Sequence, residues 1–232
     1  EDSPTIWKPK DVSGLTFGTN GFYCDYEASD NLGNDANGGT DLTEANLDAT
    51  DQATDTPTNN FCVMNPLDNY YAASTFSEGN CKIVTASSNY YYHTSTVWLS
   101  SGLWYWEIKL TADSGSGGEF QIGLANKTRT TESPIGAGLY NYEYQTENGE
   151  MQYNTGGGQT SVAYGVTAAV GDVIGVYLDC EGNKLYIAKN GVIMNSGTGF
   201  SITAPGSTTN GWYTPALNFG SNASSGTFEC NF

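Results

Sequence analysis

The fold is decided by Trp104-Tyr105-Trp106-Glu107-Ile108-Lys109-Leu110, where apolar side chains alternate with more polar ones. That period of two is typical of a β-strand with one buried face and one face in water. Two further stretches follow, Gly-Asp-Val-Ile-Gly-Val-Tyr-Leu-Asp at 171–179 and Lys-Leu-Tyr-Ile-Ala-Lys-Asn-Gly at 184–191. The former is apolar with glycines, as in a central strand, and the latter alternates again before an Asn-Gly pair suited to a type I′ hairpin turn.

The rest of the chain predicts more strands of the same kind. It has 29 glycines and 13% aromatic residues, which fits short strands joined by tight turns, and it lacks a helical period of ten residues or more. The candidate strands are Phe22–Tyr26, Phe61–Met64, Lys82–Thr85, Thr96–Leu99, Trp104–Thr111, Glu119–Ala125, Leu139–Tyr144, Glu150–Tyr153, Asp172–Asp179, Lys184–Lys189, Trp212–Leu217 and Thr227–Phe232.

The three stretches, in this order, resemble a SPRY domain. Phe-Gln-Ile-Gly-Leu-Ala at 120–125 is similar to the family's next strand, and Tyr164-Gly165 precedes the Gly-Asp strand at the usual place. The resemblance covers roughly Phe61 to Phe232. It implies an all-β fold, a two-sheet antiparallel β-sandwich of the concanavalin-like jelly-roll type. It also implies partner binding through loops at one end of the sandwich.

By that resemblance, the loops at 65–80, 126–138 and 154–163 are the candidates for partner contact. Upstream of the sandwich, residues 1–14 are predicted to be an arm that contains Trp7, because Pro4 and Pro9 oppose regular strand pairing. Residues 15–60 are predicted to add a first strand and an acidic loop rich in Asp, Asn and Gly. The third part, 61–232, is the SPRY-like sandwich itself.

The upstream segment resembles a narrower group of proteins. Phe-Gly-Thr-Asn-Gly-Phe-Tyr at 17–23, and the chain from Thr54 to Leu67, are similar to SPRY-bearing tail and fibre-like virion proteins of bacteriophages. This implies a non-enzymatic structural and adhesive protein of a tail fibre or surface appendage, at the virion surface or otherwise extracellular. Its partners would be other virion proteins, copies of itself in an oligomer, and a host-surface protein or glycan. The alternative is a secreted cellular lectin-like or protein-binding SPRY module.

The charge excludes some partners. Eight basic and 25 acidic residues give a net charge of −17, which repels phosphate backbones, so nucleic acid is not an expected partner. The acidic residues are unevenly distributed along the chain, because residues 1–60 carry 12 acidic and 2 basic side chains. The sequence also lacks an apolar stretch of membrane-spanning length, so membrane insertion is not expected.

Catalytic groups are scarce in this sequence. His93 is the one histidine, without a second ligand or a Gly-x-Ser-x-Gly elbow to build a zinc site or a serine triad around it. Glycoside hydrolysis needs two carboxylates a fixed distance apart, for which Glu107 and Glu119 are the candidates. We expect a binding protein without a cofactor, and keep a β-sandwich glycosidase as the weaker alternative.

Calcium is the one ion that the sequence suggests. Asp35, Asn37 and Asp41 surround Gly38-Gly39 and offer oxygen ligands, although the spacing is not that of an EF-hand. A hydrogen-bonded Asx turn is the simpler interpretation of the same residues.

Cysteines and tyrosines complete the set of candidates. Cys62 with Cys81, and Cys24 with Cys230, are the candidate disulfides, against the alternative that the five cysteines are small buried hydrophobes. Tyrosine gives broad contact area with a polar tip, so clustered tyrosines suit recognition. The candidate binding residues are Tyr70, Tyr71, Tyr90, Tyr91, Tyr92 and Trp7.

Overall fold

The structure is a computed structural model of the 232-residue chain. It describes Val12 and residues 14–52, 61–70, 74–85, 91–113, 119–126, 138–220 and 225–232. The chain divides into two compact units, Glu1–Cys62 with Ser77–Gly79, and Val63–Phe76 with Asn80–Phe232. Within the described residues, no helix has the length and apolar character needed to cross a bilayer.

The larger unit is all-β, as predicted, and the described residues contain fifteen strands with three short 3₁₀ turns. The strands are β1 Met64–Tyr70, β2 Thr75–Ser77, β3 Lys82–Val84, β4 Tyr91–Ser95, β5 Leu103–Asp113, β6 Glu119–Ala125, β7 Tyr142–Gln145, β8 Glu150–Tyr153, β9 Thr160–Ala163, β10 Val173–Asp179, β11 Lys184–Lys189, β12 Val192–Ile193, β13 Phe200–Ser201, β14 Thr214–Gly220 and β15 Gly226–Asn231.

These strands form two antiparallel sheets. Sheet 1 has the order β1-β4-β14-β6-β7-β8-β9, and sheet 2 has the order β12-β11-β10-β5-β15-β3-β2, with β13 paired to β11. The three stretches that decided the fold lie side by side in sheet 2, where β10 pairs with β5 on one edge and with β11 on the other. The predicted two-sheet antiparallel sandwich is therefore confirmed.

The core lies between the inner faces of the two sheets. Trp106, Ile108 and Phe228 from sheet 2 join Ile122 and Leu217 from sheet 1 in one buried cluster. Tyr142 and Tyr144, which alternate along β7, belong to the same cluster, so these two tyrosines serve packing. Burial of such large side chains is the main source of stability for a sandwich of this kind.

Three predicted strands are wrong in detail. Of Phe61–Met64, only the last residue lies in a strand, where β1 begins. Phe22–Tyr26 forms no strand, because the Tyr23 N–H donates to the Asp35 side chain and the Tyr23 carbonyl accepts from Ala36 N–H. Thr96–Leu99 contributes a single bridge, between Leu99 and Tyr213. Phe22–Tyr26 and Thr96–Leu99 thus lack the continuous ladder of hydrogen bonds that a strand has.

Candidate binding site

An exposed indole stands on the connection between β4 and β5. The Leu99 N–H donates to the Tyr213 carbonyl over 2.7 Å, and both of these side chains are buried. Because neighbouring residues of an extended chain point to opposite faces, Trp98 and Trp212 project together on the other side of this bridge. Their rings stack with centroids 5.2 Å apart, and Trp98 is 67% exposed.

A buried frame of hydrogen bonds holds Trp212 in place. Asn126, which follows β6, donates from Nδ2 to Thr208 Oγ1 over 2.8 Å and to the Trp212 carbonyl. The Asn126 N–H donates to Asn141 Oδ1, and the Asn126 carbonyl accepts from Asn210 Nδ2. One buried asparagine therefore joins the end of β6 to the turn before β14. The stacked indoles therefore stand on a base ordered by these hydrogen bonds.

The register of sheet 1 brings several loops to this same end. Ala125 pairs with Thr214, and Tyr153 pairs with Thr160. Of the loops predicted for partner contact, 126–138 and 154–163 thus start at the same end of sheet 1 as Trp98. Thr160–Ala163 of the latter is strand β9, and 127–137 lie outside the described residues. We call the connections 96–102 and 203–213, together with Asn126, the Trp98 end.

The third predicted loop, 65–80, differs from expectation. Most of it is strand, since β1 and β2 occupy Met64–Tyr70 and Thr75–Ser77. The prediction of a loop there was wrong because proline and polar residues interrupted the alternating pattern. The bulge between Met64 and Asn69 accommodates these residues within a sheet edge.

An apolar groove opens beside the Trp98 end, on the outer face of sheet 2. It has a volume of about 260 Å³. Its lining consists of Leu103, Trp104, Tyr177, Leu178, Asp179, Tyr186 and Ile193. Leu103 is 77% exposed, and Trp104 is 45% exposed with its Nε1–H donated to the Ser101 carbonyl. The alternation that buries Trp106 therefore does not bury Trp104, which lies where β5 leaves the sandwich.

A row of three tyrosines crosses the outer face of sheet 2, and two of them, Tyr177 and Tyr186, line the groove. Tyr105, Tyr177 and Tyr186 lie opposite one another on β5, β10 and β11. The Tyr105 and Tyr177 ring centroids are 4.4 Å apart. Gly175 makes this arrangement possible, because a Cβ there would lie 3.2 Å from the Tyr105 ring. The tyrosines give the outer face of sheet 2 a broad aromatic surface.

The candidate glycosidase carboxylates do not come together. Glu107 accepts a hydrogen bond from the Tyr105 hydroxyl on the outer face of sheet 2. Glu119 begins β6, which belongs to sheet 1. Two carboxylates on different sheets do not form the pair across a single cleft that glycoside hydrolysis requires.

The predicted tyrosine cluster is corrected in one position. Tyr92 is 1% exposed and packs with Ala125 and Ala216, so it offers a partner no surface. Tyr70 ends β1 and Tyr91 begins β4, at the end of sheet 1 opposite Trp98. Tyr71, Tyr90 and Trp7 lie outside the described residues. The exposed Trp98 was missed because Thr96–Leu99 was predicted to be an ordinary strand.

His93 is a core residue of β4. Its Nε2 lies 3.1 Å from Ser74 Oγ, and its ring meets the Phe76 ring edge-on. Burial lowers the pKa of His93 to about 3, since the charged imidazolium would lose its hydration. The side chain is therefore neutral at ordinary pH and has no access to a substrate.

The candidate calcium residues lie in the smaller unit. Asp35 accepts the backbone N–H groups of Tyr23, Asn37 and Gly39. Both Asp41 oxygens also accept hydrogen bonds, from the Asp35 N–H and from Asn31 Nδ2, and these bonds lower the pKa of Asp41. This is the geometry of the hydrogen-bonded turn, and the described residues contain no cluster of three or more His, Cys, Asp or Glu suited to a metal ion. Calcium at Asp35, Asn37 and Asp41 stays a prediction.

All five cysteines lie in the described part of the chain, and the structure has them as thiols. The predicted pairs, Cys62 with Cys81 and Cys24 with Cys230, are therefore not formed in it. In sheet 2, the residue whose carbonyl accepts the Cys230 N–H is Cys81. Sequence spacing could not show this neighbour, because 149 positions separate the two residues.

The geometry of the two sheets agrees with the comparison to known families. The model of the SPRY domain matches residues 103–230, which is more than half of the chain. The chain belongs to the SPRY domain family. The resemblance deduced from the three decisive stretches is thus confirmed, and β5 to β15 are the strands that carry it.

Solved SPRY structures share the fold at low identity. The SPRY domain of human HERC1 superposes with a TM-score of 0.57 at 15% identity, covering 72% of this chain and 96% of that one. Another human SPRY domain gives 0.53 at 16% identity, covering 68% and 94%. Stonustoxin gives 0.51 at 18% identity, covering 73% of this chain and 26% of the toxin.

A curated relative is similar in sequence over part of this chain. The Ran-binding proteins 9/10 homolog of Drosophila melanogaster is 36% identical over 94 residues. The match covers 40% of this chain and 9% of the relative. The match therefore spans about a tenth of the relative's length.

Proposed function

We propose that this SPRY domain is a non-enzymatic protein-binding module that contacts its partner through the Trp98 end and the adjoining groove. The exposed, stacked indole of Trp98 carries the proposal. Tryptophan supplies large contact area at little entropic cost and is enriched among the residues that dominate binding energy. A side chain of this kind in water, on a hydrogen-bonded base, is better explained by contact with a partner than by stability.

The groove extends the same surface. Leu103 and Trp104 begin β5 directly after the connection that carries Trp98, so one partner segment can reach both places. The large exposed Leu103 side chain adds apolar area that water does not favour. Aromatic walls with few charges match the composition of interface centres.

The family supports binding over catalysis. SPRY domains are typically protein-binding modules, and the Drosophila relative bears the name of a Ran-binding protein homolog. This relative favours the alternative predicted from the sequence, a cellular protein-binding module, over a component of a phage tail fibre. The virion setting, the extracellular location, a glycan ligand and oligomer formation remain predictions of the upstream segment, and the comparisons give them no support.

Selection from a random peptide library on the immobilised full chain tests the proposal. We expect the selected peptides to bind the Trp98→Ala variant at least about tenfold more weakly, because truncating a tryptophan that dominates an interface costs about 2 kcal/mol or more. Val166→Ala is the matched control, since Val166 is 60% exposed but lies between β9 and β10, at the end of the sandwich opposite Trp98. Equal binding to wild type and Trp98→Ala would contradict the proposal.

A further inference from the structure

Cys81 and Cys230 lie opposite each other near one edge of sheet 2, where β3 pairs with β15. The pairing of β15 with β3 places Glu229 opposite Lys82, and the next step along this register places Cys230 opposite Cys81. The Cys230 N–H donates to the Cys81 carbonyl over 2.7 Å, so the two backbones remain hydrogen-bonded at this position.

The two side chains project to the same face. Phe228 and Ile83 are paired and fully buried, so their side chains point into the core. In a strand, residues two positions apart point to the same face. Cys230 and Cys81 are therefore on the inner side as well. Directly opposed residues of an antiparallel pair have Cα atoms about 5.5 Å apart when hydrogen-bonded, which is within the range that disulfides span.

We propose that Cys81 and Cys230 are an oxidation site of this chain and form its intramolecular disulfide. Two thiols lose two protons and two electrons as one S–S bond forms. A low-molecular-weight disulfide such as oxidised glutathione accepts the electrons and leaves as two thiols.

The burial of the two thiols gives the order of the exchange. Cys81 is half-buried, whereas Cys230 is 7% exposed. Glutathione therefore forms a mixed disulfide with Cys81, and Cys230 then attacks the Cys81 sulfur and releases reduced glutathione. Cys180 takes no part, because it lies at the turn after β10 and burial raises the pKa of its thiol to about 11.

The link has a structural consequence. It would tie β15, the last strand, to β3 near the edge of sheet 2 and close a loop that contains most of the sandwich. Because a long loop is restricted in the unfolded chain, oxidation should raise the thermal midpoint. This pairing also excludes both pairs predicted from the sequence, since each of those uses Cys81 or Cys230.

Peptide mapping of the oxidised full chain tests the proposal. The reduced protein is incubated with oxidised glutathione, alkylated, and digested with trypsin and an Asp-specific protease, which places the five cysteines on separate peptides. We expect a linked pair of peptides containing Cys81 and Cys230, and a midpoint that rises by roughly 4–16 °C. Cys180→Ser should form the link as wild type does, and Cys81→Ser and Cys230→Ser should not.

Other connectivities would overturn the proposal. A Cys62–Cys81 or Cys24–Cys230 peptide would show that the sequence-based pairs are correct. Glutathione adducts that persist on Cys81 without a link to Cys230 would show that the buried thiol does not resolve them. The wild-type map decides between these results without any variant that has to fold.

Discussion

Trp98 stacks on Trp212 diagonally across two extended segments, with the ring planes 19° apart. The bridge between Leu99 and Tyr213 turns these two side chains into the core and leaves the indoles outside. Adjacent residues of the same connection therefore have opposite roles. Leu99 anchors the connection to the sandwich, and the Trp98 ring lies mostly in water.

The two neighbours should respond differently to truncation. We expect Leu99→Ala to lower the free energy of unfolding by about 2–5 kcal/mol, because it leaves a cavity in the core. Trp98→Ala should lower it by less than about 1 kcal/mol, because its ring is mostly in water. Urea denaturation measures both, and a larger loss for Trp98 than for Leu99 would assign the indole stack to stability.

The hydrogen bonds of Asn126 should stabilise the loops of the Trp98 end. Asn126→Ala removes both Nδ2 hydrogen bonds and leaves Thr208 Oγ1 and the Trp212 carbonyl short of a donor. We expect the free energy of unfolding to fall by about 2–4 kcal/mol and peptide binding to weaken with it. Asn231→Ala, at an exposed position of β15, is the control. An unchanged urea midpoint for Asn126→Ala would show that the frame does not hold the loops.

His93 should make stability depend on pH. Its pKa is about 3 when folded and about 6.5 when unfolded, so the unfolded chain binds the proton first. The stabilisation is complete above pH 6.5 and is lost as the pH falls towards 3. Between pH 6.5 and 5 we expect a loss of roughly 1.5 kcal/mol, measured by urea denaturation. In the His93→Gln variant, the free energy of unfolding should lose this part of its dependence on pH. The same pH dependence in wild type and variant would show that His93 is not a buried neutral histidine.

Asp35 should hold the turn of the smaller unit together. Its carboxylate accepts three backbone N–H groups, so Asp35→Ala should cost this turn about 2 kcal/mol. Hydrogen exchange of the Tyr23, Asn37 and Gly39 amides should then accelerate roughly thirtyfold. Asp30→Ala is the control.

The same exchange experiment separates the turn from a calcium site. If the hydrogen bonds alone order Asp35 and Asp41, calcium and EDTA should leave the three amide rates unchanged. Rates that slow with calcium and recover with EDTA would establish the ion that the acidic sequence suggested.

The sequence predicts the sandwich because its decisive strands have strong local signals. β5 and β11 alternate, and Asn190-Gly191 forms the turn with positive φ at both residues. The pattern could not show where a strand leaves the core. The exposure of Trp104 was therefore not predicted, although the burial of Trp106 was. It also could not show Trp98, because a bridge of one residue pair has no periodicity.

The candidate site depended on long-range neighbours that no local pattern contains. Asn126 meets Thr208 and Trp212 only after β6 and β14 pair. Cys81 meets Cys230 only after β3 and β15 pair. Tyrosine clustering gave a misleading signal at Tyr92, which packs inside the fold.

Hydrogen exchange with and without a selected peptide tests the central claim most directly. A partner seated on the Trp98 end should protect amides of residues 96–104 and 203–213, and leave the turns at 146–149 and 164–172 unchanged. Protection confined to those opposite turns, with no change around Trp98, would contradict the account.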